Sequence, residues 1–164
     1  MSAFPEPFSF VALDECHQQI QIHLAELAAL VRQMETSGVD ATVQRQAGAI
    51  EAFFSSTARQ HHAEEEKNVF PALLTSGNAE LVAAVHALHQ DHGWIEENWL
   101  ELGPQLRAIA MGNNWFDSDE FKHAAEVFLT LYQEHIAQEE SLVYPEAKAL
   151  LAQAVPSRNK RAPG

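Results

Sequence analysis

Apolar residues recur at three- and four-residue steps through almost the whole chain, the period of a helix, and no stretch alternates as a strand would. A first helix is predicted over about 10–36 on the stripe Leu13, His17, Ile20, Leu24, Leu27, Val31 and Met34, closed by Gly38. Asp40 is placed to cap a second helix over about 41–74, whose apolar positions are Ile50, Phe53, Phe54, Ala58, Val69 and Phe70. Pro71 is expected to kink its last turn. After Ser76, Gly77 and Asn78 comes a third helix over about 79–102, on Leu81, Val85, Leu88, His92, Ile95, Trp99 and Leu102, with Gly103-Pro104 as its stop. Asp117, with Glu120 three residues on, is a capping-box signature for a fourth helix that ends near Gln153. The expected organisation is an arm over 1–9, an all-α up-down-up-down four-helix bundle over 10–154, and a disordered basic tail over 155–164. Taken alone, that pattern carries no activity.

The pattern also repeats. HHAEEEKNVFPAL, from His61, aligns without gaps on HIAQEESLVYPEA, from His135, at an offset of 74 positions. His61 falls over His135, Glu65 over Glu139 and Pro71 over Pro145. The first and third helices match at an offset of 75, with His17 over His92 and Ile20 over Ile95. The chain therefore reads as two copies of one helix hairpin. Packed about a pseudo-twofold axis, the copies would bring two lone histidines and two His-x-x-x-Glu pairs together in the bundle core. His62 aligns with Ile136 and Glu64 with Gln138, neither kept as a ligand type. Glu66 aligns with Glu140, but it lies ~100° round the helix from Glu65. All three are expected to be mostly solvated.

Histidine and glutamate four apart stand one turn apart on one helix face, ~6 Å along the axis, so imidazole and carboxylate can reach one metal centre. One such pair in an acidic helix is ordinarily a solvated ion pair, and a lone histidine on an apolar stripe is ordinarily a hydrogen-bonded core residue. The joint set weighs differently. Two inward glutamates in an apolar core are costly unless paired, and no inward lysine or arginine is available. Metal cations supply that pairing. The candidate ligands are His17, His61, Glu65, His92, His135 and Glu139, all nitrogen and oxygen donors, a set that suits two iron ions, with zinc or manganese as possible substitutes. His89, three residues before His92, is a possible extra metal ligand. His23, His86 and His123 are expected at the surface, and Cys16 is turned ~100° away from the ligand face.

Composition narrows the partners. With 23 acidic and 10 basic residues the formal net charge is −13, which argues against nucleic acid or an anionic membrane surface as a partner. The single cysteine excludes an internal disulfide and is compatible with a cytoplasmic setting. The N-terminal MSAFPEPFSF has no basic segment ahead of an apolar run, so no signal peptide is indicated, and no run of ~20 apolar residues predicts a membrane span.

The set His17, His61-xxx-Glu65, His92, His135-xxx-Glu139, with the endings Phe70-Pro71 and Tyr144-Pro145, resembles the hemerythrin-like HHE cation-binding family over about residues 10–150. The resemblance implies a non-haem di-iron centre in a four-helix bundle, its two glutamates bridging the irons with an oxo or hydroxo group. It further implies a small ligand, namely dioxygen, peroxide or nitric oxide, bound or reduced in oxygen or nitrosative stress or in iron homeostasis. Reversible dioxygen carriage or sensing, and iron donation for iron–sulfur cluster repair, are the alternatives. The oxygen carriers of this family add a histidine four residues before the third-helix ligand and end on an aspartate. Here those places hold Leu88 and Glu139. Ferritin-like bundles need Glu-x-x-His on two helices, and Glu120-xx-His123 is a single instance.

Overall fold

A computed structural model describes the backbone of residues 9–161 and the side chains of residues 9–153. Apart from Ser9, the expected N-terminal arm lies outside the described residues, as do residues 162–164 of the expected tail. Every regular element among the described residues is helical. Helix α1 (Phe10–Ser37) ends at Gly38, whose φ of 72° lets its N–H turn back to the Met34 carbonyl. The second leg of the bundle is broken twice, into α2 (Ala41–Ser55), α3 (Thr57–Asn68) and α4 (Phe70–Leu74). Asp40 caps α2 by accepting from the Val43 N–H at 2.8 Å. The break at Ser56, which the apolar pattern does not announce, turns the Ser56 N–H to the Phe53 carbonyl. The second break is the expected one: Pro71 sits in the first turn of α4, where a missing N–H costs nothing.

Helix α5 (Ala79–Ala110), capped by Asn78, runs straight through Gly103-Pro104, where the sequence predicts a stop. Two leucine-type anchors beyond the proline account for this. Leu106 and Ile109 are fully buried, and burying each stabilises the helix by about 1.5–3 kcal/mol. That offsets the ~3 kcal/mol cost of an interior proline. The fourth leg is α6 (Ser118–Gln138), a π-helical turn over Glu139–Val143, and α7 (Tyr144–Arg161), whose helical backbone continues past the end expected near 154.

Short connections join the legs, so consecutive legs are antiparallel. α1 packs on α2 and α6, and α5 packs on the same two, which is the cyclic order of an up-down-up-down bundle. The core falls into two apolar clusters. One, toward the α1–α2 turn, is built on Leu27, Ile50, Phe54, Trp99, Leu102 and Phe128. The other, at the opposite end, is built on Leu13, Val69, Leu73, Leu88 and Val143. A polar layer separates them. None of the described helices is long and apolar enough to cross a membrane.

Candidate metal centre

The buried polar side chains among the described residues are His17, His61, Glu65, His92, His135 and Glu139, none more than 7% exposed. Each leg supplies part of the layer: His17 from α1, His61 and Glu65 from α3, His92 from α5, His135 from the last turn of α6, and Glu139 from the start of the π turn. Both glutamates sit just before a helix irregularity. After Glu65, the helix closes on the Val69 N–H and restarts at Phe70-Pro71. After Glu139, the Tyr144 N–H reaches back five residues to the Glu139 carbonyl, and Pro145 comes next. The paired prolines of the repeat thus loosen the backbone at equivalent places.

His17 Nε2 lies 3.0 Å from Glu139 Oε1 and 3.8 Å from Glu65 Oε2. His61 Nε2 is 3.4 Å from Glu65 Oε2, and His92 Nε2 is 3.2 Å from Glu65 Oε1. His135 Nε2 is 3.4 Å from Glu139 Oε2. Several of these approaches lack hydrogen-bond geometry: Glu65 Oε1, Glu139 Oε2, His92 Nε2 and His135 Nε2 are all buried without a hydrogen bond. Each orphaned atom costs about 1–3 kcal/mol. Four converging lone-pair donors fit a bound cation.

Two sets of ligand atoms, each set lying within 4.8 Å of one another, can hold a metal ion. One comprises His17, His61, Glu65 and Glu139; the other comprises His62, Glu65, His92 and His135, so Glu65 belongs to both. The sequence pattern places His62 in solvent, and the structure corrects this. Its ring stacks on His92, with centroids 3.9 Å apart, and its Nε2 is 3.1 Å from the Tyr132 hydroxyl. His89, the expected candidate for a fifth histidine, belongs to neither set; its side chain is 63% exposed, lies 3.6 Å from Glu66 and meets the His92 ring edge-on at 6.5 Å between centroids. The repeat comparison hides His62 because its counterpart is Ile136. The available signal was Tyr132, an inward hydroxyl needing a partner.

The outward ring nitrogens are held by a second row of groups. His92 Nδ1 is 2.7 Å from Glu66 Oε2, His17 Nδ1 is 3.3 Å from Glu140 Oε2, and His135 Nδ1 is 3.3 Å from Asp91 Oδ2. Glu66 and Glu140 are therefore half-exposed backing groups for the histidines rather than free surface carboxylates. Such pairing fixes ring orientation and raises ligand basicity. From the other side, Tyr144 donates to Glu65 Oε2 at 2.6 Å.

Burial works against charging these imidazoles, yet for three of them the neighbouring groups prevail. His17 is raised to about 10 by Glu139 and Glu65, and His135 to about 9 by Asp91 and Glu139. His61 is raised to about 9 by Cys16 and Glu65. His62 moves the other way, held well below its ordinary value by burial and by His92. Burial disfavours ionising either glutamate. Hydrogen bonds from Glu139 and three histidines nevertheless hold Glu65 well below the usual range, while burial and Glu65 itself push Glu139 up. Two carboxylates this close share one proton when no cation is between them.

The model of the hemerythrin HHE cation-binding domain matches residues 10–147. The chain belongs to that family. An uncharacterized protein of Haemophilus influenzae (strain ATCC 51907 / DSM 11121 / KW20 / Rd) is 28% identical over 144 residues, spanning 84% of this chain and 81% of its own. No solved structure matches. In this hemerythrin-type domain Phe54, Trp99 and Phe128 pack beneath the buried layer of histidines and glutamates. With His62, Tyr132 and the ion-paired Arg59 and Glu96 they line a partly open cavity of about 10 Å³, room for roughly one water-sized molecule.

Proposed function

We propose that this hemerythrin-type domain is a non-haem di-iron protein that binds or reduces a small oxidant, namely dioxygen, peroxide or nitric oxide, in a cytoplasmic setting. The observation that carries the reading is the pair of donor sets sharing Glu65 in a layer sealed between two apolar clusters. The donors are nitrogen and oxygen atoms without a thiolate, which suits iron and also admits zinc or manganese. Two iron ions, when bound, would supply reversible electron transfer and open positions for a diatomic or peroxide ligand.

The chain's own residues account for the rest. Glu65 would hold both ions, with Tyr144 orienting its carboxylate by donating to Oε2. His62, His92 and His135 would hold one ion, and His17, His61 and Glu139 the other. Phe54, Trp99 and Phe128 pack beneath the layer, and the cavity they line with His62 and Tyr132 has room for roughly one water-sized molecule. Tyr132 is kept a neutral phenol by burial, so it can orient His62 or a nearby small ligand by hydrogen bonding.

Reversible dioxygen carriage is the second reading, and His62 favours it by supplying a fifth histidine that Leu88 does not. Metal analysis of protein from iron-rich growth, joined to a near-ultraviolet spectrum, tests the shared premise: about two irons per chain are expected, and colourless iron-free protein overturns both readings. Stopped-flow mixing of the reduced form with dioxygen, peroxide or nitric oxide then separates them. A stable oxygenated spectrum selects carriage, and turnover of peroxide or nitric oxide selects reduction.

A further inference from the structure

The backing groups of the four repeat-related histidines obey the pseudo-twofold, with one exception. His17 and His92 are mates at an offset of 75, and their partners Glu140 and Glu66 are mates at 74. His61 and His135 are mates at 74. The partner of His135 is Asp91, whose mate 75 positions back is Cys16. The symmetry therefore puts a thiol where the other half has a carboxylate. The local contacts agree: the Cys16 side chain interacts with His61, while His61 Nδ1 is buried and has no hydrogen bond. His61 Nε2 is turned inward to Glu65 and Tyr144.

A neutral thiol is only a weak acceptor, so it orients the imidazole less firmly than a carboxylate does. The halves also differ in donor type: the mate of His62 is the buried, apolar Ile136, so the His17–His61 half has two imidazoles against three and takes Glu139 as its fourth donor. We propose that Cys16 is the outer partner and positioning residue of His61, and that its standing in place of a carboxylate makes the His17–His61 half the weaker metal position. The centre then fills in two steps, the His62–His92–His135 half first. This rests on the di-metal reading of the layer.

The test is titration of the metal-free full chain with cobalt(II), monitored by calorimetry and by the visible spectrum of the bound ion. Wild type should show two steps with dissociation constants at least about tenfold apart. Cys16→Asp should tighten the weaker step by about 10- to 100-fold and leave the tighter one in place. Asp91→Cys should weaken the tighter step. Cys16→Ala and Cys16→Ser, which test for mere disturbance of packing, should tighten neither. Two equal steps in wild type, an unmoved weaker step in Cys16→Asp, or equal tightening in Cys16→Ala would each overturn the proposal while leaving the di-metal reading intact. No binding of cobalt at all would overturn both. Far-ultraviolet dichroism identifies a variant that has failed to fold; Cys16→Ser, which changes one atom, then carries the comparison, and tightening in it refutes the proposal.

Discussion

His62 lies flat against His92, its ring centroid 3.9 Å away and its plane 15° from parallel. The Tyr132 hydroxyl pins its other side. The arrangement orients an imidazole that is kept neutral and therefore has a lone pair to give. Replacing His62 by Ala should lower bound metal from about two ions per chain toward one, whereas His89→Ala should leave it unchanged. Metal analysis after dialysis decides it, and equal loss in both variants would contradict the geometry.

Glu65 and Glu66 are adjacent in sequence and differ in what they touch. Glu65→Ala removes the one carboxylate common to both donor sets and should abolish binding at both. Glu66→Ala removes only the group behind His92, so affinity should fall by about 10- to 100-fold with stoichiometry preserved at saturating metal. Calorimetric titration of the two variants separates these outcomes.

Tyr144 ties the far end of the chain to the layer through its bond to Glu65. Tyr144→Phe leaves a buried carboxylate oxygen short of a donor and should destabilise the metal-free protein by about 1–3 kcal/mol. Urea denaturation measures it. A change below a few tenths of a kcal/mol would mean that the histidines alone satisfy Glu65.

The metal-free protein should respond to pH in a definite direction. His17, His61 and His135 have folded values above their ordinary 6.5, so their contribution is complete below that pH and is lost as pH rises through about 9 to 10. Glu139, raised from 4.5, also contributes at lower pH and loses its contribution as pH rises. Glu65, lowered from 4.5, contributes above that value and loses its contribution as pH falls through the lowered one. Urea midpoints of the metal-free chain should therefore fall between about pH 6 and pH 10. Metal affinity should climb over the same interval, because binding must displace those protons. A midpoint that rises with pH would exclude charged imidazoles in the layer.

The four legs are legible in the sequence because each carries a local signal: an apolar stripe, a capping Asp40, Asn78 or Asp117, and Gly38 at a helix end. The internal repeat picks out the same six polar residues that the fold buries. What local signals miss depends on packing. Pro104 is tolerated because Leu106 and Ile109, beyond it, reach the core. The break at Ser56 and the π turn at Glu139–Val143 lie inside stretches of uniform helical pattern. His62 and the role of Cys16 are hidden for one reason, since comparing the halves keeps what they share and discards what differs.

Those differences have a further consequence. A hairpin of this kind paired with an identical copy of itself would already assemble four histidines and two glutamates, but its two cation positions would be identical by symmetry. With both hairpins in one chain, the position that holds His62 in one half can hold Ile136 in the other, and Cys16 can stand where the other half has Asp91. Continuity of the chain is what allows the two halves of the layer to specialise.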